Sequence, residues 1–134
     1  MSNRKLGTDF EREFAQILAD NGFWVHRMAQ NASGQPFDII AAKDGKTYPI
    51  DCKVCTKDRF LLERCEENQR LSMKLWREKG NGVGWFALKL SNGLIFLISH
   101  RSIELLMEKG VKSPNYEKLR AWGFELGDWL GMYA

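Results

Sequence analysis

Two apolar runs, 37–42 and 47–54, are joined by nothing longer than Lys43-Asp44-Gly45-Lys46. A short Asp-Gly connection between β-prone runs predicts a hairpin. Strand side chains alternate faces, so Asp51 and Lys53 point one way while Ile50, Cys52 and Val54 point the other. Asp38 follows Pro36-Phe37 at the head of the first run. If the runs pair, Asp38 comes close to Asp51 and Lys53. Two carboxylates and an amine then converge, which is equipment for holding a divalent metal and activating water beside a phosphate. Pro49 has no N–H for a ladder, so it belongs near the strand start or where that N–H would face no partner.

The hairpin sits in a longer pattern. Residues 8–20 predict a helix with Phe10, Phe14, Ile17 and Leu18 on its apolar face. Thr8 and Glu11 have capping-box spacing, and Asn21-Gly22 closes the end. A strand follows over 23–28, then a polar loop over 30–35 containing Gly34. Residues 59–79 predict one long helix with Leu61, Leu62, Cys65, Leu71 and Leu75 apolar, broken by Gly80, Gly82 and Gly84. Runs 85–90 and 94–99 predict a second hairpin around Ser91-Asn92-Gly93. A short helix over 102–109 and another starting at Ser113-Pro114 complete the readable pattern. The aromatic tail from Phe124 has no clear period. The order α-β-β-β-α-β-β-α predicts an α/β sandwich on a mixed sheet.

The 134 residues suit one domain over 1–134 with a substantial core. A 44% apolar, 28% charged composition predicts folding rather than disorder. A net charge of +3 is too mild to imply nucleic-acid binding but permits a local basic patch. No segment approaches the roughly 20 apolar residues of a membrane span. Met1 to Lys5 carries no apolar signal core, so a cytoplasmic protein with no membrane partner is expected. Three cysteines fit reduced thiols. Cys52 and Cys55 would face opposite sides of a strand and lack further ligands for zinc, so they read as packing residues.

Each candidate also has a plain structural explanation. Asp38 could begin a strand, and Asp51 with Lys53 could be a surface pair. Yet both residue types are depleted in strands, and here they share one short apolar run. Glu11 and Glu13 both flank the apolar stripe of the first helix, so periodicity does not choose between them as a third carboxylate.

Gly7-Thr8-Asp9-Phe10-Glu11-Arg12-Glu13-Phe14, Gly22-Phe23, Val25, Arg27, Ser33, Asp38-Ile39-Ile40-Ala41 and Asp51-Cys52-Lys53 together resemble, in order and spacing, the archaeal-type Holliday junction resolvases. Bacterial RecU resolvases are more distantly similar. Both belong to the PD-(D/E)xK nuclease superfamily. The resemblance covers about residues 5–100, and its ordered set is more specific than the acid-x-lysine motif alone. It implies a restriction-endonuclease-like α/β core, a mixed β-sheet flanked by helices. It implies that Glu11, Asp38 and Asp51 bind Mg²⁺ or Mn²⁺, that Lys53 is the catalytic lysine, and that Gln69 is the glutamine of the following helix. It places Arg27 and Ser33 near the scissile phosphate and Arg12 on DNA. Lys57 and Arg59 are further basic residues beside the motif that would position the backbone without reading sequence.

Two departures stand out. Phe37 separates Pro36 from Asp38, where the family usually has proline directly before the acid, and Asp51 stands where glutamate is common. The short 43–46 turn also leaves no room for the RecU stalk. The expected activity is metal-dependent, structure-selective endonucleolysis of four-way DNA junctions. Symmetric cutting needs two sites and therefore a homodimer. The aromatics Trp85, Phe86, Phe96, Trp122 and Trp129 read first as core, with the tail 122–133 as the best interface candidate. The rivals are a nuclease of the same chemistry on other DNA, restriction-like or in replication and repair, and a DNA-binding module of this fold without catalysis.

Overall fold

The computed structural model describes residues 3–29 and 34–133. The chain runs α1 (Asn3–Asp20), β1 (Trp24–Arg27), β2 (Ile39–Lys43), β3 (Lys46–Val54), a short 3-10 turn (Leu62–Arg64) and α2 (Glu67–Glu78). It continues with β4 (Trp85–Lys89), β5 (Ile95–Ser99), α3 (His100–Glu108), α4 (Tyr116–Trp122), β6 (Phe124–Glu125) and α5 (Leu126–Tyr133). The six strands form one sheet in sequence order. Every pairing is antiparallel except β3 with β4, which is parallel because α2 carries the chain back. This is the expected mixed sheet flanked by helices.

The sheet is covered on both faces. Phe10, Phe14 and Leu18 of α1 and Trp129 of α5 pack with Ile39, Ala41, Ile50 and Cys52 on one face. Phe60, Leu62, Cys65, Met73, Ile103, Leu106 and Leu119 pack with Phe86, Leu88, Phe96 and Ile98 on the other. Cys52 and Cys55 are free thiols in these two separate clusters. Among the described residues no helix is long and apolar enough to cross a membrane.

The first hairpin forms around a two-residue turn, with Asp44 and Gly45 both at positive φ (52° and 79°). That geometry twists with the strands, and Asp-Gly tolerates it. The turn sets Lys43 opposite Lys46 and hence Ile39 opposite Ile50. The Ile50 carbonyl faces β2, accepting from the Asp38 amide at 3.1 Å. Alternation then turns Pro49 toward β4, which begins only opposite Ile50. The missing proline N–H therefore costs no ladder bond.

Three expectations need correction. First, α1 is already helical at Asn3, and Thr8 lies inside it, its hydroxyl donating to the Arg4 carbonyl at 3.0 Å. Thr8 and Glu11 are thus no capping box. Second, the long helix expected over 59–79 is broken. The amides of Phe60 and Leu62 donate to the Pro114 and Lys112 carbonyls (3.1 and 2.9 Å), so this stretch is tied to the chain before α4. The helix proper starts after Glu66, which forms the capping box with Gln69. Its buried residues are Gln69 and Met73, while Leu61, Leu71 and Leu75 are exposed. Third, the last cap is Asn115, whose side chain accepts from the Lys118 amide, rather than Ser113. In the aromatic tail, Trp129 is fully buried in the core as expected, within ring-contact distance of Phe23, Tyr48 and Trp85, while Met132 is 55% exposed.

Candidate active site

The site lies where β3 outruns β2. Pairing between them ends at Ile39 and Ile50, so residues 51–54 of β3 have a strand neighbour only in β4. Asp38 fills the gap. Its Oδ2 accepts the Cys52 main-chain N–H at 2.8 Å, and its Oδ1 accepts from Gln35 Nε2 at 2.8 Å. A buried main-chain donor needs a partner, and here a side-chain carboxylate supplies it. Phe37, the residue inserted before Asp38, is buried and meets Trp76 of α2 edge-on at 6.3 Å.

Asp51 is fully buried on the α2 side of the sheet. Its Oδ1 accepts from Gln69 Nε2 at 3.1 Å. Its Oδ2 accepts no aligned hydrogen bond among the described residues, although Lys53 Nζ stands 3.1 Å away. Burial, and then the charge of Asp38, push the Asp51 carboxyl well above its ordinary value, against the opposing pull of Lys53. Gln69 does two things with one amide. Its Oε1 accepts the Glu66 amide at 3.3 Å, which leaves Nε2 aimed at Asp51.

Glu11 approaches from α1 and is 5% exposed. Its Oε1 accepts from Arg27 Nε at 3.1 Å. Burial and the Asp38 charge raise its pKa, opposed by Arg27. Glu13 is exposed and pairs with Lys89 at 2.7 Å. Among the described residues no three Asp, Glu, His or Cys side chains close to metal-binding distance. The arrangement is the Asp38–Asp51 pair, with Glu11 held beside it by Arg27.

The sequence candidates thus separate. Glu11, Arg27, Asp38, Asp51, Lys53 and Gln69 gather here. Arg12 is exposed on α1 and faces Asp9 at 3.5 Å. Lys57 is exposed. Arg59 is spent on structure, with Nε donating to Ser113 Oγ (3.0 Å) and Nη2 to the Ser113 carbonyl (2.9 Å). Ser33 lies outside the described residues. Gln35 is the partner that sequence reasoning missed; a lone glutamine in a polar loop carries no signal that could have found it.

Known proteins of one family resemble this chain in sequence and fold. The family model for the archaeal Holliday junction resolvase (Hjc) matches residues 1–127. The chain is 28% identical over 93 residues to the crossover junction endodeoxyribonuclease Hjc of Methanocaldococcus jannaschii. That match covers 69% of this chain but 65% of the relative, a little under two thirds of its length. The solved structure of Archaeoglobus fulgidus Hjc, a Holliday junction resolvase from an archaeal hyperthermophile, superposes with a TM-score of 0.69 at 24% identity. It covers 93% of this chain and 100% of that one. The likeness spans nearly the whole of both chains and is one of fold, the restriction-endonuclease-like mixed sheet flanked by helices. With a family model spanning nearly all of its length, the chain belongs to the archaeal Holliday junction resolvase family.

Proposed function

We propose that this chain is a divalent-metal-dependent endonuclease that hydrolyses phosphodiester bonds of four-way DNA junctions as a cytoplasmic homodimer. The observation that carries the reading is the junction of Asp38 with β3: two carboxylates and a lysine meet at an opening in the sheet, in a chain of this family.

The residues fit a hard cation. The donors are carboxylate oxygens. Among the described residues Asp51 Oδ2 is buried without an aligned hydrogen bond, and Asp51 and Glu11 are both pushed toward protonation by burial and by Asp38. A bound cation relieves that repulsion. Asp38 and Asp51 would hold Mg²⁺ or Mn²⁺, with Glu11 as the outlying carboxylate. When bound, the ion acidifies water and offsets charge on the phosphate.

The protein residues have distinct tasks. Lys53 places its ammonium where it can orient water or stabilise charge developing on the phosphate oxygens. Gln69 and Gln35 hold Asp51 and Asp38 in register. Arg27 fixes Glu11 and leaves cationic charge beside the substrate. A junction offers two symmetry-related scissile phosphates, and a two-fold dimer engages both at once.

The test compares an immobile four-way junction with a linear duplex of equal length, with Mg²⁺ and with excess chelator. Junction-selective cutting that stops in chelator, and stops in Asp38→Asn and Asp51→Asn while binding persists, is expected. Equal cutting of both DNAs would favour a nuclease with another substrate. Binding without cleavage in the wild type would favour the DNA-binding module.

A further inference from the structure

The centre described above leaves an adjoining cleft unused. The cleft has a volume of about 570 Å³ and lies between the first turns of α1, the end of β3 and the 3-10 turn, where Arg4, Gly7, Lys53, Thr56, Arg64 and Glu66 line it. Lys53 belongs to both places, since its Nζ also stands 3.1 Å from Asp51 Oδ2. Whatever occupies the cleft is therefore next to the catalytic centre.

Its lining favours an anion. Arg4, Lys53 and Arg64 are cationic, against one acid, Glu66. The Glu66 carboxylate accepts the main-chain N–H of Gln69 at the start of α2, and three cations against this one acid still leave the described lining positive. Arg64 is held in place before any ligand arrives. Its Nη1 donates to the Val54 carbonyl at 2.7 Å, and its guanidinium lies 5.8 Å from the centre of the buried Phe60 ring. That bond uses one of five N–H donors in a rigid fork suited to phosphate. Ordering paid in advance is not charged again on binding.

Gly7 is an independent observation. It lies inside α1, where glycine is a poor helix former. Among the described residues, no atom lies within 4 Å of where its Cβ would stand. Packing among the described residues therefore does not require glycine there, and Gly7 lines the cleft.

We propose that this cleft is a second phosphate subsite, taking the phosphodiester adjacent to the one at Asp38 and Asp51, with Arg64 as its principal cation and Gly7 as its open floor. The proposal rests on the nuclease reading and adds to it the placement of the neighbouring backbone unit. Phosphate contacts position the strand without reading its sequence, as a shape-selective enzyme requires.

The test is fluorescence anisotropy of a labelled four-way junction with the full chain, in EDTA, over a series of KCl concentrations. Arg64→Ala should weaken binding about tenfold and flatten the slope of log affinity against log salt by about one. Gly7→Leu, a better helix former, should keep or raise the Tm yet also weaken binding several-fold. Because Gly7 lies on a different element, this variant decides the matter even if Arg64→Ala misfolds. Wild-type affinity and slope in a folded Arg64→Ala, or wild-type affinity in Gly7→Leu, overturns the subsite. A wild-type protein that neither binds nor cuts the junction overturns the nuclease reading instead.

Discussion

The Asp38 carboxylate accepts the main-chain N–H of Cys52 at 2.8 Å, standing in for the strand that β2 does not extend. One contact thus closes an edge of the sheet and brings Asp38 beside Asp51. Asp51, buried beside it, is pushed toward protonation by burial and then by the Asp38 charge. Several expectations follow from the same geometry.

Glu11→Gln should abolish most cleavage while leaving the Tm within a few degrees of wild type. Glu11 sits inside α1 and caps nothing, so neither outcome involves helix capping. Glu13→Gln removes only a surface pair with Lys89, worth about 0.2–1 kcal/mol, and should cut at the wild-type rate. Equal activity in both variants would leave Glu11 without a role at the site.

Gln69→Ala should lower cleavage by about 10–100-fold, the usual effect of removing a residue that orients a ligand. It should also cost about 1–2 kcal/mol, because the helix cap and the Asp51 contact are lost together. Measured kcat and chemical denaturation of the same preparation separate the two effects. A stability loss with full activity would reduce Gln69 to a cap.

Metal-free stability should fall as pH rises. Asp51 and Glu11 have folded-state pKa values raised above their ordinary 3.8 and 4.5. The folded state then holds more protons than the unfolded one, so stability is greatest below those ordinary values and is lost as pH climbs through the raised ones. Thermal melts in EDTA from pH 4 upward read this directly. Asp51→Asn should flatten the dependence, and Mn²⁺ at neutral pH should raise the wild-type Tm but not that of Asp51→Asn. Wild-type melts with no such pH dependence would contradict the buried-acid account.

Leu71 and Leu75 are 50% and 55% exposed, one turn apart on α2. The aromatic tail, by contrast, spends Trp129 on the core. The homodimer proposed above is expected to bury these two leucines of α2. Sedimentation of Leu71→Glu/Leu75→Glu at micromolar concentration should show a monomer, with junction cleavage lost and the circular dichroism spectrum retained. A dimer in this variant would move the interface elsewhere.

The hairpin was legible in the sequence because its determinants are local. Asp44-Gly45 specifies the turn, and alternation then puts Asp51 and Lys53 on one face of β3. The second hairpin and the core face of α1 were legible for the same reason. Packing decided the rest. Leu71 and Leu75 belong to the apolar pattern read for this helix, but the chain before α4 ties down Phe60 and Leu62 and breaks it, and Gln69 is buried while Leu71 and Leu75 are exposed. Glu11 and Glu13 flank the same stripe, and only the docking of α1 near Arg27 and Asp38 buries one of them. Arg59 read as a free cation until its partner Ser113, far along the chain, came within reach. Periodicity and turn chemistry act over a few residues and so can be read from a string. Which polar side chain meets which depends on contacts between distant segments, and those exist only once the sheet and its helices have packed.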